Sequence, residues 1–452
     1  MNKSKKILEF KTITDSFSGS ICLAKWYHLN LYLHLGENHS CYHPDPHKIS
    51  LEELALDESA LHNSNFKKQQ RKLMLQGLRP KECQYCWNIE DLKTEQHLSD
   101  RMIKSFEQNQ SRPELFKQLQ SFTGDESVVP TVIEVSFSNL CNFKCVYCHP
   151  KSSSKWQREI EQYGKFEGLN DNYAITQTIY SSEDTPYVKA WKVWWEKISS
   201  KVDALRLTGG EPLLHKTTFE LLENLKKAKP SKLYLMVNSN MGISEKILTH
   251  FVSEISLILE KKSIAGFKLY TSLESVGRQA EYARYGLDFD LWKRNVEYFL
   301  EKAPDAQLSI MCTYNLLCVT EFTKFLETLL ELRKKYCQKK RRIEVDISYI
   351  TGPQHLLIEL LPSSFVKHIS ASLQFMEEHC DENKPWMFDA VEISKMKRIR
   401  DHFLTNRLQP IQEKHFLEIA NSFFQQIDER RDLNFSETFP ELYQLLCQYK
   451  KS

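Results

Sequence analysis

Three cysteines, Cys141, Cys145 and Cys148, stand in a C-x3-C-x2-C triplet. Three thiolates this close on one loop can hold three irons of a [4Fe–4S] cube and leave the fourth iron open to a small molecule. A closed four-cysteine site has no such open position. Structural zinc is the competing chemistry, but it calls for four ligands and this loop supplies three. His149 would be the fourth, yet it directly follows Cys148 and is badly placed to share one metal. The triplet reads as an iron–sulfur loop.

A second run, from Asp203 to Leu214, is a short apolar strand ending in Gly209-Gly210-Glu211-Pro212. Two glycines at a strand's end let backbone approach a ligand with no Cβ in the way. The Glu211 carboxylate can accept from an ammonium group there, and Pro212 stiffens the exit. Alone this would be an ordinary strand-to-helix turn. Placed about 60 residues after the triplet, it supports the same chemistry.

Together the two motifs resemble the radical S-adenosylmethionine (SAM) superfamily. The resemblance implies a [4Fe–4S] cluster on the triplet, with SAM chelating its open iron and the methionine amine held at the Gly-Gly-Glu-Pro motif. It further implies SAM contacts from Tyr147 near the adenine and from Asn238, Ser239 and Asn240 at the ribose or carboxylate. Ser272 and Glu274 are similarly placed, and Arg284 would pair with the SAM carboxylate. Strand alternation puts Tyr270, Ser272 and Glu274 on one face. An isolated polar strand residue is, for each of these, equally at home as a solvated or structural group.

Four further cysteines have metal-ligand spacing. Cys22 and Cys41 fit C-x13-G-x4-C around Gly36, and Cys83 and Cys86 form a C-x2-C pair. Apolar alternation over 29–35 suggests a hairpin strand with Gly36 in its turn. Four cysteines with none to spare close a cluster fully, so it would move electrons. The pattern resembles the twitch domain, a shortened relative of the SPASM domain, which implies a second, auxiliary [4Fe–4S] cluster. Here the module precedes the barrel instead of following it. A zinc ribbon is the competing reading.

The elements that must position these groups alternate from about 130 to 360. Candidate strands lie at 131–138, 204–208, 232–238, 267–273, 307–313 and 343–349, separated by helical patterns such as 217–229 and 292–302. Such alternation implies parallel strands with helices outside, hence an α/β fold. Six units are fewer than the eight of a closed barrel, so a partial (β/α)6 TIM-type barrel is expected. Both motifs follow a strand, on the rim where such folds bind ligands. The expected organisation is a cysteine-rich module at 1–95, a helical linker at 96–129, the core at 130–360 and a helical extension at 361–452 covering the open barrel edge. Trp191, Trp194 and Trp195 read as helix core. Two basic runs, 67–72 and 334–342, read as solvated helix faces.

Composition narrows the functional classes. With 452 residues, 41% hydrophobic and 27% charged, the chain suits a soluble globular protein of more than one domain. A net charge of +2 gives no general pull toward nucleic acid or anionic lipid. No apolar run approaches the roughly 18–20 residues that span a bilayer, and the N-terminus has no secretory pattern. Seven of twelve cysteines fall in the two clusters, as suits a reducing cytoplasm. The other five read as buried or inert thiols.

The resemblance implies reductive SAM cleavage to a 5′-deoxyadenosyl radical that abstracts hydrogen from a substrate. Peptide modification with the auxiliary cluster as electron acceptor is the first expectation, and oxidation or epimerisation of a small molecule the second. Cys312 is a candidate hydrogen donor for epimerisation. A low-potential donor such as flavodoxin or ferredoxin would supply the electron. A non-catalytic iron–sulfur or zinc-binding protein is the alternative of another class, and it would have no need of Gly-Gly-Glu-Pro.

Overall fold

The computed structural model describes residues 3–92, 97–175, 177–180 and 184–449. The expected boundary at 95–96 involves positions outside the described residues. Eleven strands occur among them: β1 (His28–Tyr32), β2 (Glu37–His39), β3 (His47–Lys48), β4 (Val132–Ser136), β5 (Lys144–Cys145), β6 (Ala204–Thr208), β7 (Tyr234–Asn238), β8 (Gly266–Ser272), β9 (Arg284–Tyr285), β10 (Gln307–Tyr314) and β11 (Ile343–Tyr349). The six expected strands are β4, β6, β7, β8, β10 and β11.

The chain forms two compact units. The first comprises 1–138, 179–208 and 231–235, and the second 139–178, 209–230 and 236–452. Strand β7 contributes residues to both.

In the first unit the strand order is β3-β2-β1-β4-β6. β1 runs parallel to β4, with Leu29 opposite Ile133, and β4 runs parallel to β6. The N-terminal segment thus adds a strand to the parallel sheet, which alternation over 29–35 did not foretell. The expected hairpin is present: β2 returns antiparallel to β1, and Gly36 turns the chain with φ +64°. A Cβ there would also lie 2.5 Å or closer to the Tyr187 ring. Trp26, Tyr27, Met74, Trp87, Phe106 and Leu119 gather in the apolar core beside this sheet. The helix Pro186–Ile198 starts at Pro186 under a Thr185 cap and buries Trp191, Trp194 and Trp195, as expected.

In the second unit β8, β10 and β11 are parallel neighbours. β8 alternates strictly, burying Phe267, Leu269 and Thr271 while Tyr270 and Ser272 remain half-buried on the other face. The helix Glu245–Glu260 buries Leu248, Phe251, Val252, Ile255 and Ile258 along one stripe. Beyond β11 the chain is helical, as expected. The helix Ala390–Thr405 opens with a capping box of Asp389 and Glu392. Its Lys395 reaches Asp346 of β11 at 2.7 Å, and its Glu392 pairs with buried Arg333, so it covers the outermost strand.

Two expectations fail on burial. Lys67 and Arg71, in the basic run 67–72, are fully buried because the helix Asn65–Leu75 turns them inward. The run 334–342 is mostly exposed, but Arg342 is buried and caps the carbonyls of Leu300, Ala303 and Ala306. Among the five scattered cysteines, Cys312, Cys318 and Cys337 are buried, whereas Cys380 is exposed.

Candidate functional site

The cysteine loop lies in the second unit, pinned at nearly every turn. Asn139 Nδ2 donates to Pro150 O at 3.1 Å and to Gln157 Oε1 at 3.0 Å. Ser153 Oγ donates to Phe143 O at 2.7 Å, and Trp156 Nε1 to Cys145 O at 2.8 Å. Strand β5 pairs antiparallel with β9, setting Cys145 opposite Arg284. From the C-terminal helix Pro410–Arg431, buried Arg431 donates to Lys144 O at 2.7 Å and is matched by Glu159 at 2.9 Å. No motif marks Arg431, so its role was invisible in the sequence. A buried Arg and a buried Glu about 270 residues apart carry no local signal.

The Gly-Gly-Glu-Pro motif packs directly on this loop. A Cβ on Gly210 would lie 2.3 Å from Leu140 O and 2.6 Å from Asn139 O, and Glu211 N donates to Leu140 O at 2.7 Å. Glycine at 210 is therefore required for contact between the two motifs. Gly209 adopts φ +128°, a conformation that favours glycine.

Cys141, Cys145 and Cys148 line one cavity of about 280 Å3 together with Tyr147, Gly209, Gly210, Asn238, Ser239, Asn240, Ser272 and Arg284. Eleven of the fourteen residues anticipated there from sequence thus meet in one place. Phe143, His149 and Ser152 also line it. Glu211, Pro212 and Glu274 do not reach it; they stand behind the wall. The buried Glu211 carboxylate accepts from Leu213 N at 3.1 Å and from Asn240 N at 2.6 Å, joining the loops that follow β6 and β7. Burial pushes its pKa up to about 7, against the pull of those two N–H groups. Asn240 Nδ2 in turn donates to Asn142 Oδ1 at 2.8 Å on the cysteine loop. Pro212 opens a buried turn over Pro212–Leu214.

Glu274 organises the opposite wall. It accepts from Tyr147 Oη at 2.8 Å and from Arg284 Nε and Nη2 at 3.1 and 2.5 Å. The Arg284 guanidinium lies 5.2 Å from the Tyr147 ring centre, leaving Nη1 4.0 Å from Cys145 Sγ. Burial raises the pKa of all three thiols, that of Cys148 to about 12, and Arg284 opposes the rise at Cys145. Metal binding would displace these protons.

In the first unit, Cys22, Cys41, Cys83 and Cys86 line a second cavity with Ser40, Lys25 and Arg101. Cys22 precedes the helix Leu23–Tyr27, Cys41 follows β2, and Cys83 and Cys86 flank the start of the helix Gln84–Glu90. Lys25 pairs with Glu82, and Arg101 with Glu90 at 2.6 Å. Burial pushes Cys83 and Cys86 up to about 12.

The donor chemistry of both sets suits iron–sulfur ligation: three thiols on one cavity, four on the other. Among the described residues, no three Cys, His, Asp or Glu side chains converge as ligands of a single metal ion would. Tetrahedral zinc would draw its thiolates to about 3.8 Å from one another, given a Zn–S bond of 2.3 Å; a cube keeps them further apart.

Comparison with known proteins bears on the second-unit site. The radical SAM superfamily profile matches residues 135–324, a stretch that includes the triplet, Gly209–Pro212 and Arg284. A probable GTP 3′,8-cyclase of Methanocaldococcus jannaschii is 23% identical over 170 residues, 37% of this chain and 48% of that protein. Another of the same name from Saccharolobus solfataricus is 24% identical over 163 residues, 35% of this chain and 44% of that protein. The chain thus spans about half the length of the curated relatives it matches. The cysteine triplet and the Gly-Gly-Glu-Pro loop packed on it both fall within residues 135–324, and that stretch is a radical SAM domain.

Proposed function

We propose that the chain binds SAM at a [4Fe–4S] cluster held by Cys141, Cys145 and Cys148 and uses it to start radical chemistry on a small molecule. The observation that carries this reading is the cavity itself, where the three thiols, Gly209, Gly210 and the polar ends of β7 and β8 meet. When bound there, a reduced cluster supplies one electron that cleaves SAM to methionine and a 5′-deoxyadenosyl radical, which takes a hydrogen atom from substrate.

The chain's own residues prepare that event. Arg284 lends positive charge beside Cys145 while Glu274 fixes its orientation. Tyr147, held by Glu274, offers a ring edge to the adenine. Glu211 holds Asn240 against the cysteine loop, so Ser239 and Asn240 face the cavity. His149 and Ser152 complete the polar wall.

The two relatives are named for action on GTP, which favours a small-molecule substrate. Peptide modification draws no support from them. Cys22, Cys41, Cys83 and Cys86 would hold the auxiliary [4Fe–4S] cluster as electron acceptor, and a low-potential donor such as flavodoxin or ferredoxin, in a reducing cytoplasm, would supply the first electron. Among the described residues no helix is long and apolar enough to cross a membrane.

The test is production of 5′-deoxyadenosine from SAM by anaerobically reconstituted protein under dithionite. Production that disappears in a Cys141/Cys145/Cys148→Ala variant is expected. Absence of cleavage in loaded wild-type protein would favour a non-catalytic metalloprotein.

A further inference from the structure

The wall of the first-unit cavity leaves one polar group unanswered. Among the described residues that line it, Lys25 is held by Glu82, Lys104 by Asp100 at 3.2 Å, and Asp100 in turn by His43 at 2.8 Å. Arg101 pairs with Glu90 at 2.6 Å and donates to Ile21 O at 2.7 Å, and Trp87 Nε1 donates to Pro80 O at 3.0 Å. Ser40 lines the same cavity, directly before Cys41 in the chain, and is 3% exposed. Its Oγ is buried with no hydrogen-bond partner, the one side-chain nitrogen or oxygen in this lining of which both are true. Other buried serines of the unit are partnered: Ser20 Oγ donates to Met74 O at 2.9 Å and Ser99 Oγ to Glu90 at 2.6 Å.

A buried hydroxyl without a partner is costly, so each one in a folded protein calls for an explanation. A bridging water needs two to four polar partners of its own, and the side chains beside Ser40 are already paired. What the cavity does gather around Ser40 is sulfur, from Cys22, Cys41, Cys83 and Cys86. A thiol sulfur is a weak acceptor. A metal-bound thiolate or sulfide carries negative charge and accepts more strongly.

We propose that the Ser40 hydroxyl donates a hydrogen bond to a sulfur of the iron–sulfur centre on Cys22, Cys41, Cys83 and Cys86, and thereby raises its reduction potential. This rests on the iron–sulfur reading of those cysteines given above. Hydrogen bonds to sulfur are among the levers that set such potentials. A donor favours the reduced centre, which carries one more negative charge than the oxidised one. The loaded centre accepts an electron more readily than it would without Ser40, as an acceptor must.

The experiment uses full-length protein carrying Cys141/Cys145/Cys148→Ala, which leaves the first-unit cysteines alone to bind iron. Iron and sulfide are counted, the midpoint potential is read by titration, and the reduced centre is probed by electron–nuclear double resonance in D2O. Ser40→Ala is expected to retain iron and sulfide and to shift the midpoint to more negative potential. It is also expected to lose one exchangeable deuteron coupling that the parent shows. Without metal, Ser40→Ala is expected to melt at or above the temperature of the parent, because alanine removes the unpartnered hydroxyl. Should Ser40→Ala fail to load, Ser40→Thr, which keeps a hydroxyl, is expected to restore the centre and the coupling; loss of the centre in both variants overturns the proposal. A loaded Ser40→Ala protein with unmoved midpoint and every coupling retained overturns the donor role while leaving the centre intact. Absence of iron and sulfide from the parent overturns the iron–sulfur reading itself, and this proposal with it.

Discussion

Glu211 and Glu274 occupy neighbouring walls and differ in how their charge is met. Glu274 is paired with Arg284, whereas Glu211 has no cationic partner, only the N–H groups of Leu213 and Asn240 and the Ser239 hydroxyl, and is pushed up to about 7 by burial. The native protein therefore holds a proton that the unfolded chain releases at the ordinary value of 4.5. Stability falls as pH rises from about 4.5 to about 7, by up to about 3 kcal/mol, and is level above that. Glu211→Gln is expected to remove this slope, which thermal unfolding across that pH range reads directly. Arg284→Gln is expected to destabilise the protein by about 3–5 kcal/mol in urea denaturation, since it strands a buried carboxylate. The same change withdraws the cation beside Cys145. Sequence placed Arg284 near the site through its resemblance. Its partner Glu274, ten residues earlier across the helix Gly277–Ala283, could not be recognised as such, because pairing depends on how β9 folds back onto the cysteine loop.

Strands and loops were more legible than their environment. Apolar periodicity located β6 and β11 to the residue, since alternation of buried and half-buried side chains leaves a direct imprint. It also brought the triplet and Gly209–Gly210 to strand ends that meet. Periodicity could not show that β1 joins β4, because a single short strand names no neighbour. Nor could it show the inward turn of Lys67 and Arg71, which a basic composition disguises as a solvated face. The contact between the two motifs predicts that Gly210→Ala forces their backbones apart, given a Cβ 2.3 Å from Leu140 O. Loss of both SAM binding and iron retention at the triplet is expected, measured by calorimetry and iron analysis. Arg431→Met removes the grip on Lys144 O and leaves Glu159 with Lys144 alone. A loss of about 3 kcal/mol in stability is expected, with lower iron occupancy at the triplet.

Taken whole, the chain carries two cysteine sets in two compact units, three thiols in the second and four in the first. The profile match stops short of the first set, so spacing and cavity geometry alone argue for it. On the proposed reading the three-thiol site would leave an iron open for SAM, whereas four thiols would close a cluster in a cavity also lined by Lys25, Arg101 and Lys104. A division of labour between an initiating centre and an accepting one would follow from that difference. The most direct check is iron and sulfide per chain after anaerobic reconstitution, in wild type and in the Cys141/Cys145/Cys148→Ala variant. About eight irons falling to about four is the predicted result. About four falling to none, with zinc present, would make the first-unit cysteines a structural site and contradict the two-centre scheme.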